Sequence, residues 1–250
     1  GTSITKANPA NFSFETHLTT EKDESIVLDL LTDYDTSSGE QLLKSFDMYI
    51  VSNTQTFKIE GCVITQGEFR FGKGNPLILA VSGNGKKLSR VGDENYSLPG
   101  TLQSASATRT ALKPLLNIQV GGSDVSNLQA ATLTVQNNIN WTPYETLQNS
   151  LSVTSASNAM YPSSYSLTDR VVSGNITQFF TSANESEFQT FNTDTSVRVK
   201  TLRPNGNVFL DANLSGCMFT KRSSQGEVFT QTYDYRLVTS PADLGTIITY

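Results

Sequence analysis

A short phrase occurs twice in this chain. Gly61-Cys62-Val63-Ile64-Thr65-Gln66 returns as Gly216-Cys217-Met218-Phe219-Thr220-Lys221, 155 positions later, and the protein's two cysteines are the ones in it. A repeat at that spacing in a chain of 250 residues points to two related units. The flanks agree in order. Phe46–Val51 and Phe57–Glu60 precede the first copy and Glu68–Phe71 follows it. Val197–Lys200 and Val208–Ala212 precede the second and Val228–Leu237 follows it. Chance in a Ser/Thr-rich sequence explains six residues more easily than it explains a matched order of strands.

Within these runs apolar and polar residues alternate with period two, the mark of half-buried strands. Phe229, Tyr233, Tyr235 and Leu237 share one face and Thr230, Thr232, Asp234 and Arg236 the other. Leu77 to Val81 is continuously apolar, which predicts a strand covered on both sides. Each half is expected to add one short helix. Leu42, Leu43 and Phe46 stand at helical spacing after polar capping residues, and Phe188 and Phe191 do so after Asn184. Strands over Ile26–Leu31 and Val172–Phe180 are expected to lead into them. Each half thus reads as a β-sandwich with a flanking helix. Residues 1–112 form the first unit, with a linker from about Gly92 to Lys113, and residues 113–250 form the second. Asn149 to Ser164 is a second long polar stretch. The second unit opens with Leu115–Val120 and Ala131–Asn138, and the first has no such opening before Phe12. Either that opening is missing or the first unit completes its sheet with a strand from elsewhere.

Chemistry is sparse. A disulfide needs Cα atoms within roughly 7 Å, and equivalent positions of two units lie about a domain width apart. Cys62 and Cys217 are therefore expected as buried free thiols, packed as small hydrophobes. His17, the only histidine, lies in a strand-like segment and has no visible catalytic partner. Cys/His zinc sites are excluded by number and spacing. Gly67-Glu68-Phe69-Arg70-Phe71-Gly72-Lys73-Gly74 nearly spells a phosphate loop, but Gly74 stands where Ser or Thr would hold magnesium. It reads as a strand ending in a turn, and Gly83-Asn84-Gly85-Lys86 as a hairpin turn. Asp33-Tyr34-Asp35 lacks the rest of a calcium loop. Four Asn-x-Ser/Thr triplets, at Asn11, Asn175, Asn184 and Asn213, are what composition alone produces. Trp141 reads as a core or interface aromatic rather than a sugar platform. No catalytic, metal or cofactor-binding residue is expected. The candidate residues are the repeat core itself: Gly61, Cys62, Thr65, Gly216, Cys217 and Thr220.

The formal net charge is −5 and the pI about 4.9, so stable nucleic-acid binding, which needs clustered Lys and Arg, is not expected. No apolar run reaches the length of a membrane span and no charged-then-apolar leader is visible, so no membrane partner is expected.

Three passages in order resemble the major tail tube proteins of long-tailed bacteriophages. They are Ala131–Ile139 with its paired asparagines, Arg170–Thr177 with its Ser-Gly-x-Ile-Thr, and the two Gly-Cys strands. The resemblance covers most of Leu115 to Val238 and, more weakly, Phe12 to Arg90. It implies a mainly β fold of two tandem tail-tube-like sandwich or barrel domains, each with one short helix, and no enzymatic activity. It also implies a ring of six domains, hence of three chains with pseudo-sixfold symmetry, and rings stacked into a tube. Implied partners are the chain itself, other tail proteins such as tape measure and tail terminator, and genome DNA passing without sequence-specific contact. The implied location is the virion tail, assembled in the bacterial host cytoplasm. The mild negative charge suits a channel through which DNA slides. A two-domain secreted or cell-surface adhesin or glycan-binding module is the competing reading. A hydrolase ranks below both, because no nucleophile with a partner is visible.

Overall fold

In a computed structural model the chain is described at residues 9–35, 42–72, 74–101, 110–111, 113, 115–141, 162, 164–184, 195–203, 205–225, 228–239, 244–245 and 247–250. Among these the elements run β1 (Ala10–His17), α1 (Ser25–Thr32), β2 (Tyr34–Asp35), β3 (Leu42–Leu43), β4 (Phe46–Val51), β5 (Thr56–Gly72), β6 (Ile78–Gly85) and β7 (Lys87–Gly92). They continue with β8 (Leu115–Val120), β9 (Ser123–Asp124), β10 (Leu128–Trp141), β11 (Tyr165–Phe179), β12 (Thr195–Leu202), β13 (Val208–Gln225), β14 (Phe229–Leu237) and β15 (Ile248–Thr249).

The chain is mainly β. Thirteen strands form one antiparallel sheet in the order β1-β6-β5-β10-β11-β14-β13-β12-β8-β9, with β4 and β7 on β5 and β15 on β13, and β2-β3 make a separate small hairpin. Strand β10 is the joint. It pairs with β5 from Ala130↔Gly72 to Gln136↔Gln66 and with β11 along its whole length. Nothing in the strand pairing separates residues 1–112 from 113–250, and one apolar cluster draws on both, from Phe12, Leu31 and Phe69 to Val135, Leu210 and Ile248.

The likeness of the halves is visible inside this single sheet. Strands β5 and β13 are each far longer than the separate short strands expected. The first part of β5 pairs with β4 and β7, and its last part with β6. The first part of β13 pairs likewise with β12 and β15, and its last part with β14. The next strand outward is β1 on β6 in one half and β11 on β14 in the other. An aromatic lies over a glycine at the same register in both, with the roles exchanged. Phe12 of β1 faces Gly83 of β6, and Gly174 of β11 faces Tyr235 of β14. A Cβ on Gly83 would meet the Val63 carbonyl oxygen at 2.2 Å and the Phe12 ring at 2.3 Å. One on Gly174 would meet the Thr132 carbonyl oxygen at 2.1 Å and the Tyr235 hydroxyl at 2.4 Å.

The helices differ from expectation. The single described helix is α1, over Ser25–Thr32, where the apolar run Ile26–Leu31 predicted a strand. A continuous apolar run does not distinguish the two by periodicity. Leu28, Leu31 and Thr32 point inward, and Leu31 lies over Gly67, whose missing Cβ would sit 2.3 Å from the Leu31 Cδ2. The helix expected after Thr36 is not formed at Leu42, Leu43 and Phe46, which belong to β3 and β4. That expected around Phe188 and Phe191 lies outside the described residues. Asn184 instead closes a turn, accepting from the Thr181 N–H at 2.8 Å and donating to the Phe179 carbonyl at 2.7 Å. Strand β6 alternates buried and half-buried residues rather than being covered on both sides. Gly83–Gly85 lies within β6. The chain then bends at Lys86, so β6 pairs with the last part of β5 and β7 with its first part, rather than with each other.

Helix α1 is held to the sheet at its C-terminal end, where helix carbonyls lack intrahelical donors. Asn137 of β10 donates to the Leu31 carbonyl at 3.3 Å and the Ile64 carbonyl at 3.0 Å, and accepts from Arg170 Nε at 2.7 Å. Arg170 of β11 donates to the Thr32 carbonyl at 3.0 Å and stacks 4.1 Å from the Tyr34 ring centroid. Both are about 1% exposed. A cation at this end also opposes the negative pole of the helix. At the other end the Glu24 carboxylate accepts from the Thr19 N–H and hydroxyl, both at 2.8 Å, and Lys22 lies 5.7 Å from the Phe209 ring and 5.1 Å from Tyr250. The first half's helix is thus gripped by the second half.

Two sets of variants test this packing. Gly83→Ala and Gly174→Ala are each expected to destabilise by about 1–3 kcal/mol, the ordinary cost of overpacking, read as a lower urea midpoint at unchanged slope. Asn137→Leu orphans buried partners that each cost about 1–3 kcal/mol. It is expected to lower the thermal midpoint more than Asn138→Leu, its half-buried neighbour.

Candidate channel wall and open sheet edges

The repeated Gly-Cys phrase marks a corner. Gly61 and Gly216 have φ of +57° and +77°, the left-handed region that glycine occupies without strain. At each the long strand leaves one pair of neighbours for another. Glu60 pairs with Lys87 of β7 whereas Val63 pairs with Asn84 of β6; Leu214 pairs with Val197 of β12 whereas Cys217 also takes Leu237 of β14. The first corner is braced by the Gly61 N–H, which donates to Asp47 Oδ1 at 2.9 Å. The cysteines that follow are both fully buried, and no disulfide joins them. Burial pushes the Cys62 thiol up to about 11. Thr65 and Thr220 are not in the core: Thr65 is half-buried, its hydroxyl donating to the Ser82 carbonyl at 3.3 Å, and Thr220 is exposed on β13.

Beyond the corners, seven strands lie side by side as a wall: β1, β6, the last part of β5, β10, β11, β14 and the last part of β13. One face of this wall covers the core with Phe69, Phe71, Leu133, Val135, Val172, Ile176 and Tyr235. The other face is polar and follows from the period of two: Ser13, Gln66, Thr132, Thr134, Ser173, Asn175, Thr177, Thr232 and Thr220 lie on it in register. Two shallow depressions open on it, around Glu15 and Arg70 and around Thr134 and Asn175.

Two arginines on this face are paired with carboxylates. Glu15 and Glu68 stand two strands apart with Ala80 between them, and the small alanine lets Arg70 reach both, at 2.6 Å and 2.5 Å. The Glu68 and Glu15 carboxylates hold the Arg70 guanidinium above its ordinary range. Arg222 reaches Asp234 at 2.6 Å, and that carboxylate raises the arginine in the same way. His17 is exposed on β1, and no cluster of three or more His, Cys, Asp or Glu able to hold a metal occurs among the described residues. The segment resembling a phosphate loop is the last part of β5, its Gly67 seating the helix. Trp141 ends β10, edge-on to Tyr165 with ring centroids 5.3 Å apart. Of the two long loops, residues 142–161 and 102–109 lie outside the described residues.

The wall ends in open edges. Inside the chain, β10 covers the last part of β5 and the outer side of β11. At the equivalent places, Lys221–Gln225 of β13 pairs with β14 alone among the described residues, and β1 with β6 alone. An edge of unpaired backbone groups is a template for another strand. Sequence reasoning singled out the Gly-Cys corners but not the paired charges of Glu15, Glu68 and Arg70. These lie 55 residues apart in sequence, between Glu15 and Arg70, and only the β1-β6-β5 register joins them.

The described residues thus present a long polar face on a wall whose end strands can each accept a further strand. The sequence model of the Bacteriophage Baseplate Tube Protein Family matches residues 1–250. The chain belongs to that family. It is a structural component of the phage tail and baseplate tube, located in the virion, and the family is not enzymatic. No curated protein sequence matches the chain significantly. Family membership replaces the specific resemblance to major tail tube proteins with the broader statement of a tail or baseplate tube protein.

In native baseplate tube protein neither cysteine is expected to react with a thiol reagent, since the thiolate is the reactive form and both side chains are enclosed. Modification should proceed at the rate of unfolding in denaturant. Prompt labelling of Cys62 or Cys217 would contradict the corner geometry.

Proposed function

We propose that this protein forms a closed ring of three chains, stacked with other rings of the tail, through which genome DNA passes. Residues 1–112 and 113–250 act as the two duplicated units of each chain, and the Gly-Cys corners of Gly61-Cys62-Thr65 and Gly216-Cys217-Thr220 serve the same purpose in both. The observation that carries this reading is the joint inside the chain. Where the first unit meets the second, β10 closes the edge of β5 and continues the wall into β11. The matching edge of the second unit and the matching outer edge of the first take no further strand among the described residues. A second copy has the complementary edge, and heterologous contacts of this kind close into rings. Two units per chain and the six-unit ring implied by the resemblance give three chains. Closure would satisfy every backbone edge of the wall, as in other closed β-structures, and the core face of each wall is already covered. The polar face is the one left to line the channel. Contacts with tape measure, terminator and neighbouring rings of the tail tube belong to the same reading.

Electron microscopy and native mass spectrometry of the purified protein at rising concentration test it. The expected result is a trimeric species seen as rings with a central hole and six lobes. A chain that stays monomeric at high concentration, or closes into a solid particle, refutes the ring.

A further inference from the structure

We infer that the polar face of the wall passes duplex DNA because Arg70 and Arg222 on it are neutralised in place, not because the protein is acidic overall; this rests on the proposal that this face lines the channel. Across the seven strands the face carries Glu15, Glu68, Asp169 and Asp234 against Arg70, Arg222 and Arg236, a formal balance of −1. The whole chain stands at −5, so most of the acidic excess lies off this face. Arg70 is shared by two carboxylates and Arg222 is held by one. Between them run hydroxyls and amides: Ser13, Thr132, Thr134, Ser173, Asn175 and Thr232.

The physics follows from the spacing of phosphates. Duplex DNA carries one charge per about 1.7 Å of axis, and each Lys or Arg that neutralises a phosphate releases a counterion and holds the strand. Three copies of a free Arg70 around a ring would be such a clamp. An arginine already bonded to carboxylates offers DNA no free positive charge: Arg70 sits between two carboxylates and Arg222 against one. What field these compact groups leave is screened beyond the Debye length of about 8 Å at physiological salt. A strongly acidic wall would do the opposite and raise the barrier to entry of a polyanion. A balanced wall rich in short hydroxyl side chains does neither. The ligand it fits is a polyanion in transit, with no sequence readout.

The test uses DNA-cellulose chromatography of the full-length protein in a low-to-high salt gradient, which reads the face whether or not rings form. Glu15→Gln with Glu68→Gln frees Arg70. Glu60→Gln with Glu94→Gln makes the same change in net charge outside the seven strands and serves as the comparison. The first variant is expected to elute later in the gradient than the second, while the wild type flows through. Adding Arg70→Gln to the first variant should return it to the flow-through, and unchanged far-ultraviolet circular dichroism checks that each variant is folded. Equal elution of the two double variants overturns the inference, and so does retention that persists after Arg70 is removed. Absence of rings in the microscope would overturn the ring proposal instead, so the two failures are distinguishable.

Discussion

The pairing of β10 with β5 is the contact on which the rest of the structure depends. It turns two similar halves into one sheet, and it places Asn137 where three parts of the chain converge. The amide of Asn137 closes a helix carbonyl from the first half, a strand carbonyl of β5 and the guanidinium of Arg170 from the second half. These groups are buried, where an unpaired donor or acceptor costs about 1–3 kcal/mol. The node therefore works as a set: each member is satisfied only while the others stay in place. Helix α1, seated on Gly67 and clasped from both ends, acts as a strap across the joint.

The same joint defines what the chain lacks. A strand is covered on both sides in the middle of the wall and on one side at its ends. Among the described residues the wall ends at two places that match the joint in register, β1 and the last part of β13. Membership of the baseplate tube family gives this pattern a purpose that a monomeric sandwich would not have. The polar face is continuous across seven strands, and Arg70 and Arg222 on it close on carboxylates.

Much of the fold was legible because its periodicities are local. Period-two alternation located β4, β12, β13 and β14, and the twice-used Gly-Cys phrase marked the two corners. There a left-handed glycine lets the strand change neighbours and a small thiol fits the enclosed space behind it. The failures have physical causes of their own. Ile26–Leu31 is apolar at nearly every position, so its pattern fits a strand or a helix, and the choice fell to Gly67, which leaves room for Leu31. Leu42, Leu43 and Phe46 have helical spacing but were claimed by sheet partners. Gly83–Gly85 looks like a turn, yet its glycines serve an overlying aromatic and a bend between layers. Strand β10 pairs with strands of both halves, a partnership that no local pattern records.

The sequence by itself determined that this protein would be built of strands and that one Gly-Cys phrase would recur in two of them. These are properties of neighbouring residues: alternation with period two and a short phrase used twice. Tertiary structure alone decided that the two copies would share a sheet, that Asn137 and Arg170 would hold the helix, and that Glu15, Glu68 and Arg70 would meet. Those outcomes depend on strand register between segments tens of residues apart. A shift of one residue sends every side chain to the opposite face, and no local pattern in this chain records which register the distant partner takes.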